Sequence, residues 1–345
     1  MAANPPRIMA HANSSPAMIP PLIPPVVSIV IPVYNAAAYL DACMESVCTQ
    51  DFRSIEVVVI NDGSTDNSGD KLSAWAARDS RVVVVVHPEN ANRGVAASRN
   101  LGLCHARGEY LWFVDADDRV RPGAVAQLVA IAKAQNADVV AFNAEETRAG
   151  FPRRNVYQQA KPASVVTGEE WVRLTCRQKE SPHAVWLRFY RRAYLELCGL
   201  HFCEGNGHDD IPWITEGDLR AQRFVYSDTV LYDYVRNDKS ITGSGSGASL
   251  LRRAEGLMVV VDVLRDINLR VQMSTETRAL LRAELVGQGL QVDRLRRHIA
   301  DPVLRRRLDE RVKSTNFWRS LWKDATRFTR KRQLAQAMLR DLLHR

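Results

Sequence analysis

Apolar, β-branched runs recur at Val26–Val33, Ile55–Ile60, Val82–Val86, Tyr110–Val114 and Asp138–Phe142, with starts 27 to 29 residues apart. That interval is the length of one strand-plus-helix unit, so the runs read as successive strands of one sheet. Between the first two, Leu40, Cys43, Met44 and Val47 fall at the three-and-four spacing of a helix face, and Ala96–Leu103 and Ala124–Lys133 also read as helices. The strand runs are almost continuously apolar, as expected where helices cover both faces of a largely parallel sheet. Ligands of such α/β sheets lie outside the carboxyl ends of the strands.

Polar residues follow each strand on that edge. Pro32-Val33-Tyr34-Asn35 ends the first, Asn61-Asp62-Gly63-Ser64-Thr65-Asp66-Asn67-Ser68 the second, His87 through Asn92-Arg93-Gly94 the third, and Asp115-Ala116-Asp117-Asp118 the fourth. Carboxylates at the end of a buried strand can bridge Mg²⁺ or Mn²⁺ to a phosphate. Taken alone, Asp115–Asp118 also reads as a turn, and Ser64, Thr65 or Asp66 as a helix cap. An EF-hand over Asp62–Ser73 fails, because Asn67 stands where the turn glycine belongs and Ser73 where the bidentate Glu belongs. Neither the glycine fingerprint of dinucleotide folds nor a P-loop occurs, so a nucleotide would have to be held by side chains and metal.

Four ordered motifs, Val27-Ser28-Ile29-Val30-Ile31-Pro32-Val33-Tyr34-Asn35, Glu56 to Asp66, Asn92 to Asn100 and Asp115-Ala116-Asp117-Asp118, resemble those of glycosyltransferase family 2. The similarity continues through Val185–Arg192, Phe202–Gly205, His208-Asp209-Asp210 and Tyr232–Thr242, within the subgroup that builds bacterial surface polysaccharides. It implies a GT-A fold over 26–243 and inverting transfer from a nucleotide sugar, a UDP-sugar foremost, to a glycan or lipid-linked hydroxyl. By the same resemblance Pro32, Tyr34 and Asn35 line the nucleotide pocket, Asp62 meets the base and Arg99 faces the nucleotide or diphosphate. Asp115 approaches ribose and metal, and Asp117 is the direct ligand of Mg²⁺ or Mn²⁺. Relatives usually carry Glu-Asp where this chain has Asp209-Asp210, which leaves the base between Asp210, the first choice, and Asp209. The Gln-x-x-Arg-Trp signature of processive synthases is absent, consistent with addition of one sugar at a time.

The chemistry requires two acidic stations. A sugar hydroxyl is a poor nucleophile, so a carboxylate must take its proton. The departing nucleoside diphosphate gains negative charge that a divalent cation neutralises. For Asp209 and Asp210 the competing reading is a helix N-terminus, where acidic residues are favoured by the dipole.

Composition changes the picture mainly at the ends. The six cysteines form no framework, as expected of a reduced cytosolic protein. Cys198, His201, Cys203 and His208 cluster in sequence, but their spacing matches no common zinc pattern and they read better as small core residues. Residues 1–25, rich in Pro, Ala and Asn, read as a disordered leader lacking the features of a signal peptide. Gly243–Gly247 reads as a linker, and 244–345 as a helical basic region. From Val303 to Arg345 there are 13 Lys or Arg against 4 Asp or Glu, a balance of +9 where the whole chain carries +8. Trp318, Leu321, Trp322, Ala325 and Phe328 at helical spacing, with Arg319, Lys323, Arg327 and Arg330 on other faces, predict an interfacial amphipathic helix. That places the enzyme in the cytoplasm, at the inner face of the membrane. The competing reading of this segment packs its tryptophans onto the protein. A binding module for anionic lipid or nucleic acid on a degenerate transferase scaffold is the alternative function. Intact acidic stations argue against it, and no nucleic-acid motif accompanies the charge.

Overall fold

The computed structural model describes residues 24–148, 150–205, 207–236 and 246–343. Most of the expected leader, the Gly243–Gly245 part of the linker and the Asn237–Thr242 end of the last motif lie outside these residues. The strand runs form β1 (Val27–Val33), β2 (Ile55–Asn61), β3 (Val82–Val86) and β4 (Tyr110–Phe113). Between them lie α1 (Leu40–Cys48), α2 (Ser68–Arg78) and α3 (Val95–His105). These four strands pair in parallel in the order β3-β2-β1-β4, and β2 and β4 are buried along their whole length. The register aligns Val33 with Asn61 and Val30 with Phe113. The polar loops after all four strands therefore emerge on one edge.

Beyond β4 the sheet departs from the expected largely parallel order. After β5 (Arg119–Val120) and α4 (Ala124–Ala134), the fifth run is β6 (Val139–Thr147), but it does not pair with β4. Between them lies β8 (Arg188–Arg191), antiparallel to both. β7 (Arg154–Asn155) pairs with β6, and the long β9 (Phe224–Val235) runs parallel to β6 and antiparallel to β5. The strand Arg-Phe-Tyr-Arg is poorly legible because a charge sits inside it. Arg188 is 2% exposed, and it forks onto Asp218 with Nη2–Oδ2 2.7 Å and Nε–Oδ1 2.9 Å while donating to the Tyr157 hydroxyl at 2.9 Å. A buried guanidinium is tolerated only with such bidentate partners.

Helices α5 (Gly168–Gln178), α6 (Arg192–Cys198) and α7 (Asp210–Leu219) complete this part. α8 (Gly247–Arg270) and α9 (Thr275–His298) follow as an antiparallel pair, capped by the side chains of Ser246 and Ser274. Arg270 clamps Glu216 of α7 through two 2.6 Å bonds, and Glu169 of α5 accepts from Ser274 N and Thr277 Oγ1 at the start of α9. α10 (Pro302–Ser314), α11 (Phe317–Asp324) and α12 (Phe328–Leu343) finish the described chain.

The single amphipathic helix expected around Trp318–Phe328 is two helices. Trp318, Leu321 and Ala325 are buried, and Leu321 lies so close to Gly289 of α9 that a Cβ there would sit 2.4 Å from its Cδ1. The apolar stripe thus serves the protein's own core, the commoner use of such a stripe. Trp322 and Phe328 are the members left exposed, at 38% and 81%.

Candidate active site

Asn35 and Asp62 organise the loops at the sheet edge. Asn35 sits in left-handed backbone, φ 51°, which Asn tolerates better than most residues. Its Oδ1 accepts from the backbone N–H of Thr65 at 2.8 Å and of Asp66 at 3.2 Å, and its own N–H donates to Ser64 Oγ. The first two loops are thereby clipped together. Asp62, 3% exposed, accepts from Arg93 N at 2.7 Å and Gly94 N at 2.9 Å, tying the second loop to the third. Gly63 between them has φ 68°, and a Cβ there would lie 2.7 Å from both Asn90 O and Asn92 N, so the close approach of these loops requires glycine. Pro32 is half-buried at the end of β1, and Tyr34 is 47% exposed beside it.

The fourth loop divides its acids by burial. Asp118 is 1% exposed; it accepts from the Tyr232 hydroxyl at 2.8 Å and Val235 N at 2.7 Å, while Asp115 N donates to the same hydroxyl. Its role is to anchor the turn to β9. Burial pushes its carboxyl well above the usual range, and the charges of Asp115 and Asp117 push it further. Those two acids are only half-buried.

Arg99 joins this loop to the last acidic pair. From α3 its Nη1 donates to Asp209 Oδ2 at 2.9 Å and its Nη2 to Asp115 Oδ1 at 3.2 Å. Asn100, next in α3, exchanges hydrogen bonds with the backbone of Phe202, and Phe202 stacks on Trp213 of α7 with ring centroids 4.0 Å apart. These contacts set the N-terminus of α7 against α3. Both Asp209 and Asp210 lie at that terminus, as the capping reading expected, yet Asp209 makes no side-chain cap bond and turns to Arg99 instead. Asp210 has no ion pair among the described residues. Its carboxyl is pushed up to about 7, by burial foremost and by the charges of Asp209 and Asp115, against the pull of Arg99.

The donor set suits a hard cation completed by phosphate. Among the described residues no three His, Cys, Asp or Glu side chains are gathered so as to hold a metal by themselves, Cys198, His201, Cys203 and His208 included. Mg²⁺ rarely needs such a cage; it is commonly bound by one or two carboxylates plus substrate phosphates and water. Asp115 and Asp117 fit that pattern. The buried Nε of Arg99 has no hydrogen-bond partner, leaving an N–H suited to an anionic oxygen in the same place.

Residues 28–196 match the family model described as Glycosyl transferase family 2. Among sequence relatives, the glycosyltransferase YibD of Escherichia coli K12 is 34% identical over 223 residues, 63% of each chain. GlyG of Streptococcus pneumoniae serotype 4 is 32% identical over 62% of this chain and 72% of its own. The match thus spans somewhat under two thirds of the first relative's length and somewhat over two thirds of the second's. The chain belongs to glycosyltransferase family 2. Its fold is shared with residues 1–349 of S. aureus TarS in complex with UDP-GlcNAc, at TM-score 0.54, 20% identity and coverage of 86% and 90% of the two chains. It is shared as well with the mannosyltransferase PcManGT of Pyrobaculum calidifontis in complex with GDP-Man and Mn²⁺, at TM-score 0.53, 18% identity and coverage of 93% and 88%.

Arg188, Asp118 and Tyr232 were not singled out from sequence. The signal for Asp118 was its place in the fourth motif, and for Arg188 and Tyr232 their place in the later ones; long-range pairing is invisible to local periodicity.

Proposed function

We propose that the protein transfers a sugar from a nucleoside diphosphate sugar to a hydroxyl of a glycan or lipid-linked acceptor, with inversion at the anomeric carbon, in surface polysaccharide synthesis. The observation that carries this reading is the division of labour at the sheet edge: Asp209 is committed to Arg99, while its neighbour Asp210 is unpaired and poised near neutrality. A base works best with a pKa near the operating pH. Asp210 takes the proton from the acceptor hydroxyl as that oxygen attacks, and Arg99 faces the diphosphate with its spare N–H. Pro32 and Tyr34 flank the nucleotide, while Asn35 and Asp62 hold its pocket in shape. Asp115 and Asp117 would hold Mg²⁺ or Mn²⁺, which when bound neutralises the charge of the leaving diphosphate. The solved relatives' UDP-GlcNAc and GDP-Man support a nucleotide-sugar donor, with UDP-sugars the first to test. The catalytic unit in this reading is 26–243, with 244–345 as a helical basic appendage.

A panel of nucleotide sugars tested by thermal shift with and without Mn²⁺ checks the donor. A ligand at a hundredfold excess over its Kd should stabilise the protein by about 2.7 kcal/mol. A matching donor raises the melting temperature only with metal, and a flat response across UDP-, GDP-, CMP- and dTDP-sugars overturns the reading.

The reading places the enzyme on the cytoplasmic face of a membrane without crossing it. No helix of the described residues is long and apolar enough to span. Phe328 and Trp322 are exposed beside Lys323, Arg327 and Lys331, whose ammonium lies 5.6 Å from the Trp322 ring. Aromatic side chains among cations suit an anionic headgroup layer, where each basic residue contributes about 1 kcal/mol. Liposomes with anionic lipid should float the protein at low salt and release it at high salt. The triple change Phe328→Ser, Arg327→Gln, Lys331→Gln should weaken flotation; equal flotation of both proteins overturns membrane docking through this patch.

A further inference from the structure

One groove of the described chain lies away from the acidic edge. With a volume of about 800 Å³, it runs between the carboxyl end of α4, the loop at residues 157–163, and β9 at Val225–Asp228. Asp115 follows the carboxyl end of β4, and β6 runs parallel to β4 because both are antiparallel to β8. Val225 and Tyr226 pair with Val140 and Ala141, in the amino half of β6. The groove therefore opens toward the other end of the strands.

Its walls are preformed. Glu180 accepts from the backbone N–H groups of Gln158 and Gln159, and it takes the ammonium of Lys161 at 2.6 Å. That ammonium also lies 5.2 Å from the ring of Tyr157, and the Lys161 side chain is wholly buried. Asn143 fixes the same loop through Tyr157 N and O. Lys161 is neutralised by this pairing, so the groove offers no free cation to an anionic ligand.

Between apolar walls that include Ala130, Ile131 and Pro162, the polar groups that line the cavity are mostly neutral. The side chains of Gln135, Asn155 and Gln158, the hydroxyl of Tyr226 and the carboxylate of Asp228 make no hydrogen bond to other described residues, and all but Tyr226 are exposed. Amides donate and accept at once, and a lone carboxylate accepts from a pair of hydroxyls. The Tyr226 ring, held by stacking on Trp171 at 5.4 Å, supplies a partly exposed aromatic surface whose negative face suits the C–H groups of a pyranose. We propose that this groove is a second, non-catalytic binding site for neutral oligosaccharide, holding the acceptor glycan away from the reacting end. Two linked contacts to one polymer raise the effective concentration of its terminus at the active site. The inference rests on the reading that the acceptor is a glycan.

Saturation-transfer NMR with cellotetraose, chitotetraose and mannotetraose tests it on the full chain, with donor binding followed separately by thermal shift. At least one probe should bind with Kd on the order of 1 mM. The exposed double variant Gln135→Ala/Gln158→Ala, and Ala130→Trp, which fills the groove, should each weaken that binding about tenfold or more and leave donor binding unchanged. Tyr226→Ala should do the same, but it also removes a core contact, so the surface variants decide. Donor binding without any oligosaccharide binding, or oligosaccharide binding indifferent to the surface variants, overturns the groove. Oligosaccharide binding lost in those variants sustains it even if the donor panel fails.

Discussion

Asp210→Asn should lower turnover by about 10² to 10⁴ while leaving donor affinity in place, because the amide keeps the shape of the carboxyl and cannot take a proton. The pH profile makes the assignment specific. The base works when ionised, and its carboxyl is raised to about 7, so kcat/KM of the wild-type enzyme should climb about tenfold per pH unit below that point and level off above it. The residual activity of the Asn variant should lack this limb. Stability should run the other way. A carboxyl held protonated in the folded protein but ionising near 4 when unfolded favours folding at low pH, and that contribution is lost as pH rises through about 7. The Asn variant should therefore be no less stable than wild type at pH 8. Asp209→Asn should behave differently: it uncouples Arg99 from α7, so donor binding and melting temperature should both fall. A larger loss of turnover from Asp209→Asn with donor affinity preserved would move the base one residue back. Product of retained anomeric configuration by NMR would sink single displacement altogether.

Asp117→Ala should remove metal-dependent donor binding and cut turnover by about 10³ or more, equivalent to about 4 kcal/mol of barrier. The fold should survive, since Asp117 is half-buried at a loop rather than within the core. Asp115→Ala should be nearly as severe, with the added consequence that Arg99 loses one of its two carboxylates. Calorimetry of donor binding with and without Mn²⁺ separates these effects from general damage. In wild type the metal should tighten binding; in the Asp117 variant titrations with and without it should coincide. Wild-type turnover by Asp117→Ala would show that the cation, if used, is held elsewhere.

The strands that carry the site were legible because they are short and apolar almost throughout, β2 and β4 being buried along their whole length. Val82–Val86 was read with the bounds the structure gives, and the helix at Ala124 to within a residue. A parallel order of these strands by itself puts Asn35, Asp62 and Asp115 on one edge, since a right-handed succession of strand and helix leaves little freedom in where the loops emerge. The insertion of β8 between β4 and β6 was not legible. A four-residue strand with an arginine inside it carries no periodic signal, and its burial depends on Asp218, thirty positions away.

The same limit governed the chemistry. Residue types and spacing determined that carboxylates would gather and that the C-terminal region would be basic. Only the tertiary structure decided that Asp209 is spent on Arg99 while Asp210 stays unpaired, and that Asp118 is a buried anchor for Tyr232. It also decided that Trp318 belongs to the protein's interior while Trp322 and Phe328 face outward. In each case neighbouring residues of one type were sorted by partners far along the chain. Burial and pairing energies depend on those partners, and a linear pattern does not record them.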